Sequence, residues 1–379
     1  MTDLTVQSPV ESPRSAQPIA GASAAKRAAD RVLVARWLMA VAGLVAIMVL
    51  VGGATRLTDS GLSITEWKPV TGVMPPLTQE AWLEEFDKYR QIPEYQLVNK
   101  GMSLAAFKEI YYWEWGHRLL GRVIGLAFFL PFLFFLVTKR IERAHIAPLV
   151  GLFALGGLQG VIGWFMVASG LVDRVDVSQY RLALHLGMAF LVFALLLGFA
   201  LHLAKPFASR VHALEADRLK RPLTILLVLV FGQIVYGGFV AGLDAGYVYA
   251  TWPLMDGAVV PPGLFPSGFV ALFEDRLTVQ FFHRVYAYAL VLAVFAFGFW
   301  VLRSLSDQTL KRWAGLLCAA VFLQAAIGIA TVVMIVPMAL GLAHQAGAMA
   351  LLGMLVAYRH RVGANRGIIL PQHVNPAAA

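Results

Sequence analysis

Eight apolar runs of roughly 20 residues, each bounded by polar or basic stretches, set the layout of the chain. They cover 33–55, 115–137, 147–169, 182–204, 222–243, 279–302, 313–336 and 340–358. Runs of that length match the hydrocarbon thickness of a bilayer, and single segments cross lipid as helices because a helix satisfies its own backbone hydrogen bonds. The pattern predicts an all-α integral membrane protein with eight transmembrane helices. Residues 1–32, polar and rich in Ala and Ser, read as a disordered cytoplasmic tail, 205–221 as a cytoplasmic linker and 359–379 as a second cytoplasmic tail. Residues 56–112 form a long outer loop, and its acidic, aromatic stretch at 82–95 predicts a short surface helix. A loop of this length in a compact protein suggests a lid or a docking surface.

Lys and Arg gather in the N-terminal tail, at 138–147, 205–221 and 303–312, and after residue 358, whereas 56–112 holds more carboxylates than basic groups. The positive-inside rule then puts both termini in the cytoplasm.

The chain also repeats itself. Residues 51–61 (VGGATRLTDSG), at the end of span 1, echo 236–246 (YGGFVAGLDAG), at the end of span 5. Trp67, Gly72, Pro75 and Pro76 match Trp252, Gly257, Pro261 and Pro262, and Gln159 with Gly163 matches Gln324 with Gly328. His117-Arg118 matches His283-Arg284, and His185 matches His344. With four spans between copies, both run in the same direction. The expected architecture is two four-helix bundles, 33–204 and 222–358, related by a pseudo-twofold axis along the membrane normal.

Composition supports the membrane reading: 59% of residues are hydrophobic and 14% charged, with a mean hydropathy of +0.70. The net charge of +9 follows from orientation and does not call for nucleic acid. A single Cys318 excludes an intrachain disulfide, a Cys-ligated iron–sulfur cluster and covalent heme attachment through Cys-x-x-Cys-His.

The candidate chemistry lies in four histidines. His117, His185, His283 and His344 each fall in the first turn or two of an even-numbered span, near the outer face. Imidazoles inside a membrane bundle usually mark function. Two of them, from the second and fourth helices of one bundle, suit the two faces of an iron porphyrin. Hydrogen-bonded structural histidines are the plainer alternative. His145, His202, His212, His360 and His373 lie in or beside cytoplasmic loops and lack repeat partners. Arg118 and Arg284 follow candidate ligands directly and suit porphyrin carboxylates, or else snorkel to the interface. Glu114 precedes His117 by three residues and shares its helix face, while Gln280 holds that place before His283. A base is required in only one copy, so the difference marks Glu114 as a candidate for proton transfer; a favourable charge at a helix start is the simpler role. Gln159 and Gln324 read as glue between helices or as contacts to a cofactor edge.

With 114–118 (EWGHR), the partner histidines and the segment 55–63 (TRLTDSGLS) followed by Trp67-Lys-Pro, the chain resembles the heme A synthase family over about residues 33–358. Lacking outer-loop cysteines, it resembles the cysteine-poor alphaproteobacterial and mitochondrial branch. The resemblance implies oxidation of the C8 methyl of heme O to the formyl of heme A, through a hydroxymethyl intermediate, for use by a terminal oxidase. It implies that His117 and His185 face the substrate heme, with Glu114 as the acid/base residue, and that His283 and His344 ligate a heme b cofactor. It further implies a bacterial inner membrane location, heme sites near the periplasmic side, an electron acceptor in the membrane, and heme O synthase and oxidase assembly factors as partners. Two rival readings are a diheme b-type cytochrome that only transfers electrons and a transporter built from parallel repeats.

Overall fold

Every predicted span is a helix in the computed structural model, which describes residues 17–205 and 213–363. In chain order the helices are α1 (Gln17–Leu57), α2 (Gln79–Tyr89), α3 (Pro93–Leu97), α4 (Leu104–Val137), α5 (Arg143–Val167), α6 (Gln179–Ala204), α7 (Ala213–Gly242), α8 (Ala271–Glu274), α9 (Arg276–Ser304), α10 (Gln308–Val333) and α11 (Met338–Gly363). Eight of them, α1, α4, α5, α6, α7, α9, α10 and α11, are long and apolar enough to cross a membrane. The chain is a multi-pass membrane protein.

Local chemistry sets several helix starts. Ser103 caps α4 by accepting from the backbone N–H of Ala106 at 3.2 Å. Asp275 caps α9 through Thr278 at 2.8 Å, and Asp307 caps α10 through Thr309 and Leu310 at 2.7 and 3.1 Å. Besides α7, whose first turns take residues 213–221 from the stretch expected as a cytoplasmic linker, two helices run well beyond the hydrophobic pattern. Residues 17–32, expected as part of a disordered tail, are helical in continuation of span 1; this stretch is rich in Ala, the strongest helix former. Residues 1–16, 206–212 and 364–379 lie outside the described residues. At the other extension, α4 starts at Leu104 and not near 115. His117 is therefore about three and a half turns into its helix, while His185, His283 and His344 keep their places in the second turn.

The extra turns of α4 are held by the long loop, which folds into a small packed unit. Trp82, Phe86 and Tyr89 from α2 and Ile92 pack against Phe107 and Tyr111 of α4, and Leu62 and Ile64 join the same cluster. Phe86 and Phe107 stack at 4.8 Å between ring centroids, and Trp82 meets Tyr111 edge-on at 5.0 Å. The expected surface helix is thus real and split in two at Pro93, which sits at the start of α3.

Helix α1 packs on α4 and α6, and α5 lies against α4 and α6; likewise α7 packs on α9 and α11, and α10 lies against α9 and α11. Contacts between the two sets run through α1, α6, α7 and α11. The main apolar core includes Leu38, Leu149, Phe190, Leu223, Val294, Leu317 and Leu355, on the stretches of helix away from the long loop. The four histidines lie at the level between this core and the loop cluster.

Candidate functional site

Each of the four histidines meets a glycine on the spanning helix that precedes its own. A methyl group on Gly52 of α1 would stand 3.0 Å from Cε1 of His117, and one on Gly163 of α5 would stand 2.8 Å from Cε1 of His185. The corresponding distances are 3.3 Å from Gly237 of α7 to His283 and 2.7 Å from Gly328 of α10 to His344. Any side chain at these places would push the ring away, so glycine fixes how deeply each imidazole seats between its helices. The adjacent glycines serve a different contact. Gly53 packs on Gln345 of α11 and Gly238 on the backbone of Ala183 of α6, which allows the two sets of helices to approach. The Gly-Gly repeat therefore has two jobs, one facing an imidazole and one facing the opposite set.

The histidines come together in the pairs expected from their order in the chain. His117 and His185 stand on α4 and α6, the two helices that α1 and α5 both contact, and His283 and His344 stand likewise on α9 and α11, which α7 and α10 both contact. Nδ1 of His117 and Nδ1 of His185 are buried with no hydrogen-bond partner, yet both residues are only half-buried. Among the described residues no three His, Cys, Asp or Glu side chains converge as a metal site. The pairs offer two ligands each, as axial ligation of a macrocycle needs, and not the four of a closed protein metal site.

Glutamine side chains brace three of the four. Nε2 of Gln159 donates to the carbonyl of His185 at 3.0 Å, Gln233 to that of His283 at 3.0 Å, and Gln324 to that of His344 at 2.8 Å. Gln159 and Gln324 are thus confirmed as links between helices. Gln233 is not evident from the matched pairs of the repeat. Its signal is its spacing four residues before Gly237, the same as Gln159 before Gly163 and Gln324 before Gly328.

Glu114 is 3% exposed. Its Oε2 accepts from the Ser63 hydroxyl at 2.8 Å and the Ile64 backbone N–H at 2.7 Å, and its Oε1 accepts from Arg118 at 2.6 Å. Arg118 also donates to the carbonyls of Ile64 and Glu66, at 2.7 and 2.9 Å. In the other set Arg284 donates to the carbonyls of Tyr249 and Thr251, at 2.9 and 2.8 Å. The two arginines thus strap equivalent loops to α4 and α9. Loop-strapping is a role that proximity to the histidines alone does not suggest. Arg122 continues the strap in one set only, donating to the carbonyls of Lys68 and Pro69 at 2.8 Å each. Ser63 and Ile64, which hold the carboxylate, carry no catalytic signature in the sequence; only their place after the first glycine motif points to them.

Arg56, at the end of α1, joins the two sets across the same face. Its guanidinium lies 2.8 Å from Asp59, 2.8 Å from Asp244 at the end of α7, and 3.8 Å from Asp176.

Comparison with known proteins gives the family. The family model described as cytochrome oxidase assembly protein matches residues 35–356. A heme A synthase of Parvibaculum lavamentivorans is 55% identical over 89% of this chain and 96% of that protein. A heme A synthase of Chelativorans sp. is 55% identical over 87% of this chain and 91% of its own length. One from Azorhizobium caulinodans is 51% identical over 92% of this chain and 98% of its own length. With the match running through every spanning helix and through all four histidines, the chain belongs to the cytochrome oxidase assembly protein family.

Proposed function

We propose that this chain is a heme A synthase, oxidising the C8 methyl of heme O to a formyl group through a hydroxymethyl intermediate and so supplying heme A for a terminal oxidase. Relatives at 50–55% identity carry that name. The observation that carries the division of labour is the position shared by Glu114 and Gln280: both are buried, each three residues before a paired histidine, and only one is a carboxylic acid.

In this reading residues 33–204 form the substrate bundle and 222–358 the cofactor bundle, related by a pseudo-twofold axis. Contacts support that relation, since α1 meets α11 as α7 meets α6. His117 and His185 hold heme O, and His283 and His344 hold heme b. The residues fit such groups: the imidazoles are paired, half-buried and backed by glycines, and two have unpartnered buried nitrogens. When bound, heme b supplies one-electron transfer toward an acceptor in the membrane. Glu114 receives the proton that leaves the substrate, on a carboxylate kept in place by Ser63, Ile64 and Arg118. Arg118 has one guanidinium N–H left beyond four hydrogen bonds, and both Arg118 and Arg284 are assigned to porphyrin carboxylates through such spare donors. Basic loops orient both termini to the cytoplasm of a bacterial inner membrane and the heme sites to the periplasmic side. Heme O synthase and oxidase assembly factors are the partners that substrate supply and product delivery require.

Extraction and chromatography of pigment from the purified protein test this directly. Heme B together with heme O or heme A is expected. Heme B alone, at two per chain, would favour a cytochrome that only transfers electrons.

A further inference from the structure

The two bundles differ in a cavity as well as at Glu114. In the first, an apolar groove of about 530 Å³ runs between α5 and α6, walled by Pro148, Gly151, Leu155 and Leu158 on one side and by Leu195 and Phe199 on the other. Leu158 stands next to Gln159, whose amide holds the His185 carbonyl at 3.0 Å, and the groove leads away from there. Gly163, the residue against His185, is five positions from Leu158 and fifteen from Pro148. At 1.5 Å per residue the groove therefore runs from about 8 to about 22 Å beyond the histidine along α5. Leu195 and Phe199 lie ten and fourteen positions past His185 on α6, which places them about 15 and 21 Å along the same direction.

In the second bundle the same register is filled. Gln159 and Gly163 match Gln324 and Gly328, so Pro148 matches Trp313 and Gly151 matches Leu316. His185 matches His344, so Phe199 matches Tyr358. Trp313 and Tyr358 stack at 5.6 Å between ring centroids, and the hydroxyl of the fully buried Tyr358 donates to the carbonyl of Leu310 at 2.8 Å. Phe199 stacks instead on His202, at 6.1 Å. A duplicated scaffold that keeps a groove in one copy and plugs it with an aromatic pair in the other distinguishes what the two copies hold. Heme O and heme b share the macrocycle, the iron and both propionates; heme O carries a hydroxyethylfarnesyl tail where heme b has a vinyl group. The tail leaves the porphyrin edge opposite the propionates. With the propionates at Arg118, toward the long loop, the tail leads the other way, in the direction the groove takes.

We propose that the groove between α5 and α6 receives the isoprenoid tail of heme O and so fixes which edge of the porphyrin meets Glu114. This rests on the heme O reading above and adds the element that orients the substrate. Lipid is as apolar as the groove, so placing the tail there gains little over leaving it in the bilayer. What the groove supplies is orientation. A disc held by two axial histidines can be seated with either face toward His117, and turning it over with the propionates in place exchanges its left and right edges. Only one seating sends the tail between α5 and α6, and that seating selects one methyl for oxidation.

The test uses the purified full-length protein with heme O and heme B as probes, counted per chain by chromatography and pyridine hemochrome. A side chain begun at Gly151 meets nothing within 4 Å, so Gly151→Leu and Gly151→Trp fill the groove and leave the helix packing intact. Both are expected to lower retention of heme O through detergent washing about tenfold or more, while heme B offered instead raises the heme count as in the wild type. Pro148→Trp combined with Phe199→Tyr, which copies the Trp313–Tyr358 stack, should do the same. Any formyl product these variants make should be spread over more than one methyl position, as read by NMR of the extracted pigment. Wild-type retention and conversion of heme O by Gly151→Trp would overturn the proposal and leave the groove to bilayer lipid. Equal loss of heme O and heme B would also overturn it, as collapse of the site and not exclusion of the tail. A protein that keeps its heme O with both His117 and His185 replaced by Ala would instead overturn the placement of substrate in this bundle.

Discussion

Glu114 and Arg118 form an ion pair of 2.6 Å across one turn of α4, whereas their counterparts Gln280 and Arg284 both donate to a single carbonyl, that of Tyr249, at 3.0 and 2.9 Å. The change from carboxylate to amide reverses what the neighbouring loop must offer. Glu114 draws in the N–H of Ile64; Gln280 draws in a carbonyl. One set thereby keeps a buried carboxyl group on Ser63, Ile64 and Arg118 and the other keeps an amide, although the same scaffold surrounds both.

Replacing that carboxyl group should separate binding from chemistry. Glu114→Gln is expected to retain both hemes while conversion of heme O falls at least a hundredfold, the usual contribution of a positioned acid or base. Heme O or a partly oxidised product should then accumulate in cells, as measured by chromatography of extracted pigments. A normal yield of heme A would remove Glu114 from the catalytic role.

The donor on Oε2 can be tested separately. Ser63→Ala removes the 2.8 Å hydrogen bond to the carboxylate. A hydrogen bond to a charged group contributes about 1.5–3 kcal/mol, so turnover should fall about tenfold or more with heme content unchanged.

The glycine contacts predict losses confined to one site. Gly163→Ala should deplete heme from the N-terminal pair and Gly328→Ala from the C-terminal pair, because each new methyl would lie within 2.8 Å of an imidazole carbon. Gly43→Ala, on α1 with nothing within 4 Å, should leave both hemes in place and gain up to about 1 kcal/mol of helix stability. Heme content and optical spectra of the purified variants distinguish these outcomes.

Arg56 pairs with Asp59, Asp176 and Asp244 at the junction of the two sets. Arg56→Ala should cost on the order of 1 kcal/mol of stability, read as a lower melting temperature, because the paired groups are partly hydrated and water screens them. Added salt should narrow the difference between variant and wild type.

The loop unit should respond to pH through Glu94. Burial pushes its carboxyl up to about 8, against the opposing hydrogen bond from the Tyr89 hydroxyl. Since the folded unit holds this proton more tightly than the unfolded chain, the stabilisation is complete below the ordinary carboxylate range and is lost as pH rises through about 8. Protection against hydrogen exchange across residues 79–97, taken relative to the intrinsic rate at each pH, should therefore fall between about pH 5 and pH 8, and Glu94→Gln should flatten the profile. A flat profile in the wild type would show that Glu94 is ionised in the folded unit.

The linear order of residues determined the membrane class, the eight spans, the repeat and the four histidines, because hydrocarbon thickness imposes a run length and a duplicated chain keeps its pattern in register. It also singled out Glu114, since the repeat supplies an internal comparison with Gln280. Only the tertiary structure decided what surrounds these groups. That α4 runs 11 residues beyond its predicted start at 115, to Leu104, follows from aromatic packing of the loop unit against Phe107 and Tyr111, a contact between segments with no shared periodicity. That Arg118 reaches back to Glu114 and the Ile64 loop, and that a glycine on one helix receives an imidazole from the next, depend on how separate helices approach. Such approach is set by side-chain shape across the bundle, and hydropathy along a single segment does not encode it.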